Sequence, residues 1–384
     1  MKLQVHIYYL VFIFSFTSSL FAQSNLEING YLENMQTVWA PKGMDNLQFQ
    51  NSIANRLNFK YFATDELSIN ASVRNIFDYG QFVSLIPYYE SFATKDNGYF
   101  NLTKKITSGN SYLLYSNIDR LNLLYSKDNF EVQIGRQRVN LGISMVWTPN
   151  DIFNSSSFIN FDYVEKPGSD AIRLQYYTGV ASSVQLVYKL NDKKKTTAAA
   201  IVKLNNWDYD FQILGGIMED DFVIGGGWSG QISDAGFTGE FSYFRNKDNF
   251  KNTTGIFISS IGGNYLFSNG LLLQGEFLYN SNCRTGKNLK PTNLFSLEYS
   301  AKNLSPSKYS LFAQLSYPIT PLITTSIASI FNPSDKSVFL NPNLELSLNK
   351  DVYLLLATQF FIGNNYTEWG DFGSFYFLRI KWNF

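Results

Sequence analysis

Six of the nine arginines in the sequence fall on five consecutive predicted strands. Arg56 shares a strand face with Lys60, whereas Leu57 and Phe59 take the opposite face. Guanidinium groups offer forked hydrogen-bond donors to carboxylate, sulfate and phosphate. We therefore predict a basic wall that lines an internal space and meets anions. Its members are Arg56, Lys60, Arg74, Arg120, Arg136, Arg138 and Arg173.

Three carboxylates are predicted to face this basic wall. By the same alternation, Glu240, Glu276 and Glu345 point inward from strands later in the chain. Opposed basic and acidic walls set up a transverse field across a hydrated lumen, and the arginines favour small anionic solutes. The alternative is that the arginines hold down loops folded into the interior, through ion pairs with nearby Asp and Glu.

Composition excludes catalysis that depends on histidine. The only histidine, His6, lies in an N-terminal segment that we predict to be removed, and the only cysteine is Cys283. Ser-His and Cys-His nucleophiles need an imidazole, and zinc and copper sites draw on His or Cys. We therefore expect no enzyme activity, no catalytic residue, no metal site and no cofactor. A formal net charge of 0 implies no nucleic acid or other polyionic partner.

Residues 1–22 are predicted to be a secretory signal peptide. Lys2 precedes an apolar run over 7–16, which is followed by small and polar residues and a cleavage site after Ala22. A membrane anchor is the alternative, but the apolar run is short for spanning a bilayer. Residues 23–384 are then predicted to form a single outer-membrane β-barrel domain.

Composition also favours membrane-spanning strands over membrane-spanning helices. Aromatic residues make up 17% of the chain and charged residues 16%, yet the mean hydropathy is −0.13. No later apolar segment approaches the ~20 residues that a membrane helix needs. Strands that alternate between lipid and water have this composition. We predict an all-β fold, a transmembrane antiparallel up-and-down β-barrel of about 18 strands, with 16 as the alternative.

The predicted strands have two distinct faces and are separated by turns of two kinds. In the third strand, Ile69 and Val73 take one face, and Asn70 and Arg74 take the other. Short turns rich in Asp, Asn and Gly alternate with longer connections. The longer connections lie near 36–50, 78–111, 142–169, 282–306 and 363–372. In barrels of this kind the short turns and both termini are periplasmic.

The last predicted strand alternates and ends on an aromatic residue. Its apolar members, which would face lipid, are Tyr376, Leu378, Ile380, Trp382 and Phe384. Arg379 and Lys381 fall on the inward face. The strand resembles the C-terminal targeting strand of bacterial outer-membrane barrels. The resemblance implies the barrel assembly machinery as a partner and the bacterial outer membrane as the location.

The fifth predicted strand does not fit strict alternation. Counting outward from Ile134 would place Arg136 and Arg138 in lipid, at a cost of several kcal/mol near the midplane. One extra residue at Gly135 would shift the register and turn both arginines inward. We therefore predict a β-bulge at Gly135.

The connection after this strand has the most distinctive local sequence. It contains the patterns G-R-Q-R-x-x-x-G over 135–142, W-x-P-x-D-x-F-N over 147–154 and P-G-x-D-A-x-R over 167–173. These stretches resemble a superfamily of outer-membrane porin-like barrels of Bacteroidetes and proteobacteria that includes the alginate-export channels. The resemblance implies a channel whose lumen arginines meet anionic solute, here Arg136, Arg138 and Arg173.

A short segment of this connection is a candidate constriction. Pro149 and the Asn150-Asp151 pair are typical of a helix start. Trp147 and Phe153 would anchor such a helix by burial. We expect Trp147, Pro149, Asp151 and Phe153 to fold into the pore and narrow it, and the alternative is a loop packed on the rim.

These features predict an outer-membrane, porin-like channel for diffusion of small anionic or sugar-like solutes through an arginine-lined lumen. Outer-membrane lipids and lipopolysaccharide would surround it, and the sequence leaves the oligomeric state open. One alternative is a transporter of hydrophobic compounds that uses the aromatic segment 88–100. Another is a structural or adhesive barrel that its own loops plug. Transport measurements separate these functions.

Overall fold

The alternating strands pair in sequence order and close on themselves into one antiparallel sheet. The computed structural model describes residues 25–43, 46–155, 165–283, 285 and 300–384. The predicted signal peptide over 1–22 lies outside the described residues. Two short helices, α1 (Gln81–Leu85) and α2 (Tyr89–Ala93), precede the fourth strand. In the described part of the chain, no helix is long and apolar enough to cross a membrane.

The sheet contains 19 strands. In chain order they are β1 (Leu26–Ala40), β2 (Gln48–Phe62), β3 (Leu67–Gly80), β4 (Thr103–Gly109), β5 (Tyr112–Lys127), β6 (Phe130–Gln137), β7 (Ser169–Tyr177), β8 (Ser183–Leu190), β9 (Thr196–Asn206), β10 (Tyr209–Met218), β11 (Asp221–Ile232), β12 (Ala235–Asn246), β13 (Ile256–Leu266), β14 (Leu272–Asn280), β15 (Tyr309–Thr320), β16 (Ile323–Asn332), β17 (Ser337–Asn349), β18 (Val352–Ile362) and β19 (Ser374–Asn383).

Strands β4 and β6 share one position in the wall. One edge of β5 pairs with β3 along its whole length. On the other edge, residues 112–117 pair with β4, and residues 121–127 pair with β6. Because β4 continues the line of β6, 18 strand positions surround the barrel. This is the predicted strand number.

The last strand closes the barrel. β19 pairs with β1 from Asn383 opposite Tyr31 to Ser374 opposite Ala40. Gly30 and Phe384 then exchange two backbone hydrogen bonds, of 2.8 and 3.0 Å. Each edge strand of the sheet is thereby paired, as a barrel in an apolar medium requires.

The barrel has two unlike ends. At one end, which we call the short-turn end, tight connections such as 128–129 and 350–351 join the strands. Asn25 and Phe384 also lie there, beside Phe62 and Asp351. At the other end, the long-loop end, the longest connections are 81–102, 138–168 and 281–308.

The outer and inner faces of the wall differ as the alternation predicts. On β14, Leu273 and Phe277 are exposed on the outside, whereas Glu276 and Asn280 are buried on the inside. The long-loop half of the interior is nevertheless apolar, which the sequence analysis did not predict. Its inward residues form one packed cluster that includes Val187, Ile201, Leu214, Phe244, Ile258, Leu278 and Phe312. Segments of chain folded into the barrel cover them, so that they meet protein and not water.

The predicted bulge at Gly135 is wrong. The register runs unbroken through Gly135, which pairs with Asn122 on β5 and Ala171 on β7. The irregularity lies on β5, where Ser72 pairs with Arg120 and Val73 pairs with Ile118, so that Asp119 is the extra residue. Gly135 instead adopts a φ of 116°, which residues with a side chain rarely adopt.

Replacing Gly135 by Ala should destabilise the barrel. A Cβ there would lie 2.3 Å from the carbonyl oxygen of Leu121, and the positive φ adds backbone strain of ~1–3 kcal/mol. We expect the temperature at which the folded band converts to the unfolded band on SDS gels to fall. Gly215→Ala is the control, since its Cβ meets nothing within 4 Å. Equal conversion temperatures for the two variants would contradict this account.

Candidate functional site

Residues 138–155, which we call the constriction segment, leave the wall after β6 and enter the barrel. The backbone N–H of Ile143 donates to Glu240 Oε2 on β12 at 2.8 Å. The N–H of Trp147 donates to Glu276 Oε1 on β14 at 2.8 Å. The side chain of Asn150 donates to the carbonyl of Gly226 on β11 at 3.0 Å. The segment therefore crosses the interior to reach strands far from β6 and does not pack on the rim.

The predicted constriction residues all lie in this segment, in turns and not in a helix. Trp147 and Phe153 are 4% and 2% exposed, and the ring of Trp147 packs edge-on against Phe312 at 6.5 Å. Asp151 is buried, and the carbonyl of Pro149 accepts a hydrogen bond from Ser242 Oγ at 2.9 Å. The predicted helix is absent. The side chain of its expected cap, Asn150, is hydrogen-bonded to Gly226 on β11 and to Ser242 on β12, and so does not cap the following backbone N–H groups.

The predicted acidic wall does not face the arginines across open water. Glu240 and Glu276 are 1% and 4% exposed, because the constriction segment covers them. Their carboxylates accept backbone hydrogen bonds from that segment. Only Glu345 of the three remains exposed, on the inward face of β17.

Three members of the predicted basic wall are bound to other parts of the chain. Arg56 and Arg74 both pair with the bulged Asp119, the second at 3.3 Å. Arg120 donates to the carbonyls of Glu165 and Lys166, at 2.6 and 3.0 Å, where the chain returns from the interior. Arg120 thus has the alternative arrangement, in which it anchors folded-in chain, whereas Arg56 and Arg74 pair with a residue of the wall strand β5.

Arg136 is also removed from the lumen. Its guanidinium pairs with Asp96 at 2.7 Å and Asp170 at 2.8 Å, and it donates to the carbonyl of Phe100 at 2.6 Å. The backbone at Gly98 passes so close that a Cβ there would lie 2.0 Å from Arg136 Nη2. Arg136 is therefore a clamp for the chain over 96–102 and not a solute contact, contrary to the prediction.

Arg173 is paired as well. Its guanidinium forms an ion pair with Glu131 on the neighbouring strand β6. The positive charge that the sequence analysis assigned to the lumen is thus compensated by this carboxylate.

Arg138 differs from the other arginines of the predicted wall. No ion pair of Arg138 is present among the described residues, and its buried Nε has no hydrogen-bond partner. Its side chain lines a cavity of about 390 Å³, which we call the basic cavity. Lys60 and Arg120 supply two further cations to the lining, and Glu27 supplies one carboxylate. Six Asn and Gln side chains complete a lining that can bind anions and hydroxyl groups.

Gln137 contributes a hydrogen-bond acceptor to this cavity. The residue is 1% exposed, and its Nε2 donates to the carbonyls of Gln133 and Ala171 at 2.9 and 3.0 Å. Its Oε1 has no donor. A solute in the basic cavity can therefore meet an unused acceptor at Gln137 beside an unused donor at Arg138.

Positive charge also gathers where the constriction segment returns to the wall. Burial and the neighbouring positive charge of Arg138 lower the pKa of Lys166. Burial raises the pKa of Asp151 to about 6, against the opposing pull of Arg138, Lys166 and Lys189. Lys189 is fixed there because its Nζ donates to the carbonyl of Phe153 at 2.6 Å. Three cations, Arg138, Lys166 and Lys189, therefore lie in the field of Asp151, the buried carboxylate of the constriction segment.

Sequence reasoning missed several of these residues. Gln137, Lys166 and Lys189 were not singled out, although Gln137 and Lys166 lie within or beside the distinctive patterns. Asp119 was missed because a bulge gives no signal in a period-two pattern. No group of three or more His, Cys, Asp or Glu side chains suited to a metal ion occurs in the described residues.

Solved structures share the fold, whereas no protein-family model and no curated protein matches the sequence. The outer membrane protein OprD from Pseudomonas aeruginosa is similar with a TM-score of 0.60 at 10% identity, covering 94% of each chain. OccAB2 from Acinetobacter baumannii has a TM-score of 0.59 at 9% identity, over 93% of this chain and 98% of its own. Pseudomonas aeruginosa OccK11 has a TM-score of 0.58 at 10% identity, over 94% and 96%.

At such low identities, the likeness shows the fold alone, which is the closed 18-stranded barrel of outer-membrane porins. The resemblance to the alginate-export superfamily stays a prediction.

Replacing Arg136 by Gln should destabilise the barrel. Asp96 and Asp170 would keep buried charges without their partner, and breaking a buried ion pair in this way costs ~3–5 kcal/mol. The conversion temperature on SDS gels should therefore fall. Arg138→Gln is the matched control, because it breaks no ion pair among the described residues. A stable Arg136→Gln barrel would show that the clamp contributes little.

Proposed function

We propose that this protein is an outer-membrane channel through which small anionic solutes diffuse, with Arg138 at its selective point. The observation that carries the proposal is the guanidinium of Arg138 in the basic cavity, which has no ion pair among the described residues and whose Nε has no hydrogen-bond partner. A guanidinium in a confined, partly buried space attracts anions more strongly than one in bulk water. Solutes with a carboxylate, sulfate or phosphate are the ones that such a group favours.

The surroundings of Arg138 support passage and not tight capture. The six amide side chains and Lys60 offer a solute many separate contacts, each of which is weak. Diffusion channels need sites that are favourable enough to enter and weak enough to leave. Amide groups also bind hydroxyls, so sugar-like solutes that carry an anionic group suit the lining.

The outer membrane is the location that the outside of the barrel favours. Exposed apolar side chains such as Ile213, Ile224 and Leu356 cover the outer face of several strands. Lipid would surround these residues, including the lipid part of lipopolysaccharide, and the short-turn end with both termini would be periplasmic. Assembly would depend on the alternating β19, whose Tyr376, Ile380 and Trp382 are exposed on the outside.

A plugged structural or adhesive barrel is the second candidate. The apolar cluster inside the long-loop half, with Phe312, Phe339 and Trp369 among its members, favours it because packed chain fills that part of the interior. In the aromatic segment that a transporter of hydrophobic compounds would use, Tyr88 and Phe92 are exposed and do not form a buried apolar site.

The selectivity of the channel in planar bilayers tests the proposal. The anion-to-cation permeability ratio, from reversal potentials in a salt gradient, should exceed unity and fall toward unity in Arg138→Gln. Arg245→Gln is the control, because Arg245 binds the carbonyl of Phe250 near the long-loop end, away from the basic cavity. A ratio at or below unity in the native protein would reject the anion selectivity. No conductance at all would favour the plugged barrel.

A further inference from the structure

Two carboxylates of the wall hold the constriction segment by its backbone. Glu276 Oε2 accepts the N–H groups of Met145 and Val146, at 3.0 and 2.9 Å, and its Oε1 accepts that of Trp147 at 2.8 Å. Glu240 Oε2 accepts the N–H of Ile143 at 2.8 Å. Successive backbone N–H groups of this kind form a concave binding site for an anion. Here the barrel itself supplies the anion.

Glu276 is fully used as an acceptor. Besides the three backbone groups, Ser260 Oγ donates to its Oε1 at 2.6 Å, so that two donors point at each oxygen. An ionised carboxylate only accepts hydrogen bonds, and charge makes them stronger. A proton on Oε2 would face only backbone N–H groups, and a proton on Oε1 would have the hydroxyl of Ser260 as its acceptor. The contact is therefore strongest with the ionised form of Glu276.

The residues on both sides of 143–147 are held by other contacts. On one side, Gln212 Nε2 donates to the carbonyl of Leu141 at 2.8 Å. On the other, Ser242 Oγ contacts the side chain of Asn150 at 2.8 Å. Loss of the carboxylate contacts would therefore leave residues 143–147, between these two fixed points, with only the apolar packing of Val146 and Trp147 to hold them.

We propose that Glu240 and Glu276 form a charge-dependent latch, which holds residues 143–147 against the wall when ionised and releases them when neutralised. The inference rests on the proposed channel function, because release of this loop changes the cross-section of the lumen. At acidic pH the channel should therefore show conductance states that it does not show at neutral pH.

The charged groups around the latch are consistent with release of residues 143–147 in acid. Glu240 lies in the field of Glu276 and Asp151, and Glu240 Oε1 has no donor. Arg138, Lys166 and Lys189 lie in the field of Asp151 and not among the hydrogen-bond partners of the latch. Lowering the pH removes the acceptor charge, while these three cations keep theirs.

Labelling of a buried cysteine tests release without relying on conductance. Val146 is 7% exposed, so Val146→Cys in a Cys283→Ser background should react slowly with a water-soluble thiol reagent at neutral pH. Glu276→Gln should then be added. The amide NH₂ of Gln would face backbone N–H groups of the loop, and the hydrogen bonds to a charged acceptor would be lost. The labelling rate should therefore rise by about tenfold or more. Glu345→Gln is the matched control, because it removes an inward carboxylate of the barrel that is not part of the latch.

Equal labelling rates in Glu276→Gln and Glu345→Gln would overturn the latch, whatever the conductance. If Glu276→Gln does not fold, Glu240→Gln provides the same test with a smaller expected acceleration. In bilayers, both latch variants should show at neutral pH the added conductance states that the native channel shows in acid. Faster labelling without any conductance would uphold the latch and reject the proposed channel, so the two failures are distinguishable.

Discussion

The closed ring of backbone hydrogen bonds is the constraint on which the rest of the structure depends. An apolar environment offers no partner to a free N–H or C=O group, so each strand must be paired on both sides. Pairing of β1 with β19 meets this requirement and fixes the register of the whole wall. Once the register is fixed, the period-two pattern decides which side chains point inward. Closure of the barrel therefore decides which charged side chains point inward, and attraction among these charges does not.

Inside the ring, the charges are balanced in different ways. Arg56 and Arg136 of the wall are paired with carboxylates, and Arg120 donates hydrogen bonds to loop carbonyls. The inward carboxylates Glu240 and Glu276 instead accept hydrogen bonds from backbone N–H groups, and Glu240 Oε1 has no donor. Among the arginines of the predicted basic wall, Arg138 differs in having no ion pair with a described residue. A partly buried guanidinium without such a partner is available to a solute, which makes its position a candidate for function.

The sequence predicted the strands well because alternation is a local signal. It predicted 18 wall positions and the faces of residues such as Ile69 and Glu276. It missed β4, whose seven residues include two lysines and show no alternation. It could not assign the partners of the arginines, because Asp96, Asp119 and Glu165 reach them through loops and a bulge. The role of Glu276 was hidden for the same reason, since its partners are backbone atoms that have no sequence signature.

The short length of β6 has a geometric consequence for the lumen. β6 has 8 residues and its neighbour β5 has 16, and β4 occupies the remainder of that wall position. The chain passes from the wall to the interior where β6 ends. The depth at which the constriction segment enters the interior is thus set by strand length and independently of charge. Because alternation must be kept, that depth changes only in steps of two residues, or about 5 Å along the axis of a tilted barrel. Barrels with the same wall can therefore differ by discrete amounts in the depth at which such a segment crosses.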